Sequence, residues 1–418
     1  MPEKQDLEVF FEDMLVLSSF CYDFNSLRGI VKEHDGKMVK TGGYFSRAAE
    51  VKFERPELIL TSGGDQDKHV NRQLKYDITP AAVLEFIRSN RKLFQDSDGD
   101  GSLEFDPSQT EKPEPYFFET VMEDQCKDNL KIIDYDDKFS TGAGGLVYGV
   151  MVNLTKKWVT VVFRGTVGIA DINTDRDFTL NSDAMFPNEE HKFVEGGNPA
   201  THNGFTSYLF SHREKDVVDR PYTARILACL DKEFGSNPEI KGKDFKLFVT
   251  GHSLGGGMAN LFAFRVAQLK AMGHEHVKHF PKMVKAMTFA SPVVGNEDYN
   301  KEFQYLEKNG FLRHIRIANE GDVVPTNNIY FPYSMAIAGD TSLYIQNGVN
   351  FFFNVDKKAD ISYGNTKGMW SQFGITTSLG YHGLNEYHRR YKLPCNADLY
   401  DDTIEEMYKK ATNNFSDF

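Results

Sequence analysis

Hydrophobic and polar positions are most sharply patterned over residues 245–269. Leu247, Phe248 and Val249 form a short apolar run, bounded by Lys241-Gly242-Lys243 ahead and Gly251 behind, which suits a buried strand. Beyond Gly255, apolar residues return at Met258, Phe262, Val266 and Leu269, the spacing of a helix. Similar units recur on either side. The β-rich runs 146–152 and 158–163 predict a hairpin turning through 153–157. After His202-Asn203-Gly204-Phe205 a helix is predicted to about Phe234, closed by Gly235. The runs 284–290 and 314–318 predict two further strands, with a helix over 297–309 between them. Strands alternating with helices imply an α/β fold: a mainly parallel sheet with helices on both faces.

The first third of the chain is patterned differently. Residues 7–27 read as an amphipathic helix, and Thr79-Pro80, a cap followed by an N1 proline, predicts a second helix running to about Phe94. Asp96, Asp98, Asp100, Gly101 and Glu104 resemble the first half of a calcium-binding loop. Its twelfth position, where a bidentate glutamate belongs, is Pro107, and no exit helix follows. An acidic solvated turn is the better reading. Residues 1–135 therefore stand as a largely helical N-terminal extension, 136–395 as the main domain with an insertion at about 329–376, and 396–418 as a tail. Within the insertion, Phe351, Phe352 and Phe353 predict a strand buried on both faces; the alternative is an apolar lip. Residues 167–200 are polar and long for a connection, as lids and binding loops tend to be.

Composition narrows the class. Apolar residues make up 40% of 418, ample for a large core, yet no stretch approaches the ~18 consecutive apolar residues of a membrane span. The start has acidic residues in its apolar run and lacks a basic leader, a poor signal peptide. Cys21, Cys126, Cys229 and Cys395 lie far apart, as free thiols in a reducing, cytoplasmic setting would. A net charge of −12 argues against nucleic acid as a partner. Nothing in the pattern calls for a cofactor or metal.

The chemistry gathers at element boundaries. Gly251-His252-Ser253-Leu254-Gly255 is a G-x-S-x-G match between the strand and helix of 245–269. A serine on so sharp a turn needs minimal neighbours, and the helix start behind it offers free N–H groups to a developing oxyanion. Phe163-Arg164-Gly165-Thr166 ends a strand. Asp322, between Gly321 and Pro325, follows the last predicted strand, where α/β folds carry functional groups. His382 precedes a helical run that also contains His388. The order Ser, Asp, His is that of the α/β-hydrolases. His202 has no acid nearby in sequence and reads as structural.

With these residues placed, the chain resembles the class 3, fungal lipase-like family of the α/β-hydrolase superfamily. The matching pieces are FRGT at 163–166, HNGF at 202–205, GHSLGG at 251–256, FASPVVGN at 289–296 and GDVVP at 321–325, with the His382 segment as a looser match. They span roughly residues 135–395. The resemblance implies Ser253 as nucleophile, Asp322 as the orienting acid and His382, rather than His388, as base. It also implies the N–H groups of Leu254 and Thr166 as oxyanion donors, His252 as a packing residue, and a lid after Thr166. The implied partner is a lipid ester at a lipid–water interface: an acylglycerol, a phospholipid sn-1 ester, or a more soluble ester on the same fold. A lipase-like scaffold without turnover is the competing class, and it would usually lack a triad member.

Overall fold

The computed structural model describes residues 7–40, 48–60, 79–96, 103–105, 119, 122–123, 130–137, 146–165, 179–210, 221–322, 324–325, 344–364, 379–400 and 402–412. Its centre is an eight-stranded sheet: β1 (Leu130–Asp136), β2 (Tyr148–Asn153), β3 (Trp158–Phe163), β4 (Lys246–His252), β5 (Val284–Phe289), β6 (Leu312–Asn319), β7 (Val349–Phe353) and β8 (Asp360–Tyr363). The strands lie side by side in chain order. β3 to β7 are parallel to one another, while β1, β2 and β8 pair antiparallel at the edges. This is the α/β-hydrolase arrangement, with the predicted hairpin as β2 and β3.

Among the described residues, the longer helices are α1 (Leu7–His34), α2 (Pro80–Ser89), α3 (Asn203–Phe210), α4 (Tyr222–Ser236), α5 (Leu254–Ala271), α6 (Glu297–Lys308), α7 (Leu384–Tyr391) and α8 (Ile404–Thr412). Alternation along the strands sorts them into two layers. Leu247 and Val249 pack in one core with α3 to α6. Phe248, between them, belongs to the other core, with α1, α7 and α8.

Several elements differ from their predicted form. α1 runs longer than predicted and is buried nearly all round from Phe10 to Leu27, so it is a core helix rather than an amphipathic surface one. One side meets the sheet and α7, with Phe11 stacked on Tyr391 at 3.9 Å. Another meets the edge strand β1, where Tyr135 packs on Phe24 at 4.9 Å. α2 is capped by Thr79, which accepts from the Ala82 N–H, but it stops at Ser89; Phe94–Asp96 then pairs antiparallel with Leu103–Phe105. Glu104 thus lies in a strand opposite Gln95, where a calcium loop would lead into a helix; residues 97–102 lie outside the described residues. The single helix predicted after Phe205 to about Phe234 is two, α3 and α4, and Gly235 is inside the second. The phenylalanine run is β7, an inner strand with both faces covered.

Cys21, Cys229 and Cys395 are free thiols, and Cys126 lies outside the described residues. No helix among the described residues is long and apolar enough to cross a membrane.

Candidate active site

β4 ends in a hydrogen-bonded, fully buried edge, and the chain must reverse there to lay α5 back on the sheet. Ser253 makes the turn with φ 57° and ψ −129°, a region that side-chain-bearing residues avoid and that functional sites retain. The glycines two residues either side are dictated by contact. A Cβ on Gly251 would stand 2.3 Å from the Gly255 carbonyl oxygen, and one on Gly255 would stand 2.2 Å from that of Phe163. These are backbone atoms of neighbouring elements and cannot yield. The Ser253 hydroxyl makes no capping bond to the helix it begins, which leaves it available for chemistry. Leu254 is the first residue of α5, so its N–H has no acceptor within the helix.

Asp322 follows β6 and is fully buried. Its carboxylate accepts from the Val324 N–H at 3.0 Å and from the Tyr387 hydroxyl at 2.7 Å. His382 Nδ1 stands 3.0 Å from each of the two carboxylate oxygens. A carboxylate only accepts, so Nδ1 carries the hydrogen and Nε2 is left with a free lone pair. The His382 ring lies 4.6 Å from the ring of His252, the residue before Ser253. Asp322 and His382 are thus in contact at the C-terminal edge of the sheet, and the His382 ring lies against the residue that precedes Ser253.

His388 is elsewhere. It sits on α7, stacked on Tyr391, and its pKa is lowered by burial and by the Lys392 charge. His202 is buried, stacked on Phe205 at 4.0 Å, and its Nδ1 accepts from the Phe205 N–H at 3.4 Å, in keeping with a structural role. Thr166 lies outside the described residues, although Gly165 just before it abuts the Ser253 side chain: a Cβ there would be 3.1 Å from Ser253 Cβ. Of the segment predicted as a lid, residues 167–178 are likewise outside them. The remainder is tied down: the Phe193 and Val194 N–H groups donate to Glu302, Asn198 N–H to Asp298 and Ala200 N–H to Asn296. This part is anchored to α6 and its cap.

Two supporting residues escaped the sequence reading. Arg316 on β6 is buried beneath the Asp322 turn and donates to the carbonyls of Ser291 and Pro325 and to Asn350 Oδ1. Burial pushes its pKa down to about 10, with Tyr387 and Asp322 opposing, so it remains a cation at neutral pH. A charged residue inside an apolar strand run was the available signal. Tyr22 on α1 reaches His252; no local pattern announces that contact. Among the described residues, no group of three or more His, Cys, Asp or Glu is disposed to hold a metal ion.

Comparison with known proteins adds a family. Residues 160–330 match the family model described as lipase (class 3). Phospholipase A1-IIgamma of Arabidopsis thaliana is 30% identical over 191 residues, which cover 45% of this chain and 42% of that protein. Phospholipase A1-II 1 of Oryza sativa subsp. indica is 28% identical over 174 residues, covering 41% and 40%. The chain thus spans about two-fifths of the length of these curated relatives. Among solved structures, lipase II from Rhizopus niveus superimposes with a TM-score of 0.43 at 21% identity, over 62% of this chain and 81% of that one.

Proposed function

We infer that this chain, whose residues 160–330 match the class 3 lipase family, is a serine carboxylic ester hydrolase acting on lipids. The observation that carries the reading is the contact of His382 Nδ1 with Asp322 at 3.0 Å, with the His382 ring against His252, the residue before a serine on a strained strand-to-helix turn. A serine hydroxyl is a weak nucleophile until a base takes its proton. In this mechanism Ser253 Oγ attacks the ester carbonyl carbon while His382 Nε2 takes the proton. Asp322 holds the tautomer and stabilises the imidazolium. The oxyanion is received by the N–H of Leu254 and that of Thr166; one such donor typically contributes about 3 kcal/mol. His382 then gives its proton to the departing alcohol, leaving an acyl-enzyme on Ser253. Water, activated by the same imidazole, releases the carboxylic acid.

The substrate follows the family: an acylglycerol is the first reading. A phospholipid sn-1 ester is the second, favoured by relatives that carry the name phospholipase A1. A silent scaffold is disfavoured because all three side chains are present and the acid and base are in contact.

The test is turnover of a short-chain p-nitrophenyl ester, emulsified triacylglycerol and phosphatidylcholine vesicles by the wild type beside Ser253→Ala. We expect turnover that Ser253→Ala abolishes, and the ranking of the lipids then decides between the two substrate readings. Wild-type rates equal to those of Ser253→Ala on all three would overturn the hydrolase.

A further inference from the structure

Tyr22 and His252 are 230 residues apart in sequence, yet the Tyr22 hydroxyl stands 3.1 Å from His252 Nδ1. Across the ring, His252 Nε2 lies 2.7 Å from the main-chain carbonyl oxygen of His382. A carbonyl only accepts, so Nε2 carries a hydrogen. Burial, reinforced by the neighbouring His382 ring, holds the His252 pKa well below its ordinary value. The ring is neutral, its Nδ1 accepts, and Tyr22 must be the donor. The direction of the chain of bonds is thereby fixed, from α1 through His252 to the backbone of His382. The fit is close: a Cβ on Gly165 would stand 2.2 Å from the Tyr22 hydroxyl oxygen and 2.7 Å from the His252 carbonyl oxygen.

We propose that Tyr22 and His252 are positioning residues for His382: His252 tethers its main-chain carbonyl, and Tyr22 on α1 fixes the rotamer and tautomer of His252. The inference rests on the reading of His382 as the general base. Asp322 holds the imidazole at Nδ1 alone, and a ring held at one atom can still swing with its backbone. The carbonyl tether is the second point of attachment, and it makes the N-terminal helix part of the catalytic apparatus. His252 also stays neutral when His382 is protonated, so it does not compete for the proton taken from Ser253.

The experiment measures kcat and KM of the full chain on a soluble p-nitrophenyl ester, with a thermal midpoint for every variant. His252→Leu should lower kcat by roughly thirtyfold, and Tyr22→Phe by about fivefold, both at unchanged KM, since small misplacements of a catalytic group can cost up to ~100-fold. Because Tyr22 acts through His252, the double variant should be no slower than His252→Leu alone. His252→Gln should recover most of the rate, its amide donating to the His382 carbonyl while its oxygen accepts from Tyr22. Ser18→Ala, which removes the separate bond of α1 to Thr250 (3.3 Å), should stay within about twofold of wild type. Multiplicative losses in the double variant, wild-type rates in Tyr22→Phe and His252→Leu, or an equal loss in Ser18→Ala would each overturn the proposal. Should His252→Leu fail to fold, Tyr22→Phe, His252→Gln and Ser18→Ala still decide. A wild type without Ser253-dependent turnover overturns the hydrolase reading itself, and the inference with it.

Discussion

The Tyr387 hydroxyl donates to Asp322 Oδ2 at 2.7 Å while its oxygen accepts from the Asn319 N–H at 3.2 Å. Tyr387 thus ties the end of β6 to the carboxylate that follows it, from the helix that follows His382. Tyr387→Phe removes one donor from a buried anion, a loss of about 1.5–3 kcal/mol for hydrogen bonds to charged groups. We expect a lower denaturation midpoint together with a kcat reduced roughly tenfold at unchanged KM for a soluble ester. A variant that loses stability but keeps kcat would show that Asp322 holds its place without Tyr387.

Ser253 is a second case, in which strain and function are inseparable. Its φ of 57° and ψ of −129° cost a side-chain-bearing residue about 1–3 kcal/mol. Ser253→Ala keeps that strain, whereas Ser253→Gly relieves it at the expense of greater freedom in the unfolded chain. Both variants should lack turnover, but Ser253→Gly should be more stable than Ser253→Ala by about 1 kcal/mol. Denaturant titration of the pair measures this directly. Equal midpoints would mean that the strain at this turn is no larger than the entropic cost of the glycine.

How much of this was legible follows from the range of the interactions. The turn at Ser253 is local: strand, glycines and helix are adjacent, so the pattern of 245–269 predicts it without tertiary knowledge. Asp322 and His382 were readable as element boundaries in the right order, although only the fold brings them within 3.0 Å. α1 was misread because each of its sides is apolar toward a different partner: Phe11 toward Tyr391, Phe24 toward Tyr135. Many of its polar residues are buried too. Ser18 meets Thr250, and Arg28 pairs with Asp137. Polar positions on a helix suggest a solvent face only when nothing distant satisfies them. Tyr22 was invisible for the same reason, since its partner lies on β4.

Arg316 carries a prediction about the acid turn. Its guanidinium holds the Pro325 carbonyl and Asn350, and its charge lies near Asp322. Arg316→Met leaves the buried Asn350 Oδ1 without its Arg316 donor, the Pro325 carbonyl with Gln346 as its remaining donor and Asp322 without its nearby cation, which should cost roughly 3–5 kcal/mol. Arg316→Lys keeps the charge but lacks the planar fork, and should fall between the two in chemical denaturation. A lysine variant as stable as wild type would assign the effect to charge rather than geometry.

The last prediction concerns pH. Glu307 on α6 is buried, and burial pushes its pKa up to about 7 against the opposing hydroxyls of Tyr363 and Tyr408, the Arg313 charge and the His314 N–H. Tyr408 lies on α8, so this carboxyl joins that helix to the sheet. A folded pKa above the unfolded value of 4.5 means that the native state holds the proton more tightly. The group's stabilising contribution is complete below about 4.5 and is lost as pH rises through about 7, a swing on the order of 3 kcal/mol. Buried His314, its pKa lowered to about 3 from 6.5, acts in the opposite sense: its contribution is present above 6.5 and lost as pH falls toward 3. The two slopes overlap, so the wild-type curve alone does not isolate either. Glu307→Gln removes one titration and leaves the other. We expect the stability of Glu307→Gln relative to wild type to rise between pH 4.5 and 7 and then level off, as read from urea midpoints at half-unit intervals. A difference that is flat across that window would show that Glu307 is ionised in the native state throughout, with Tyr363 and Tyr408 outweighing the cost of its burial.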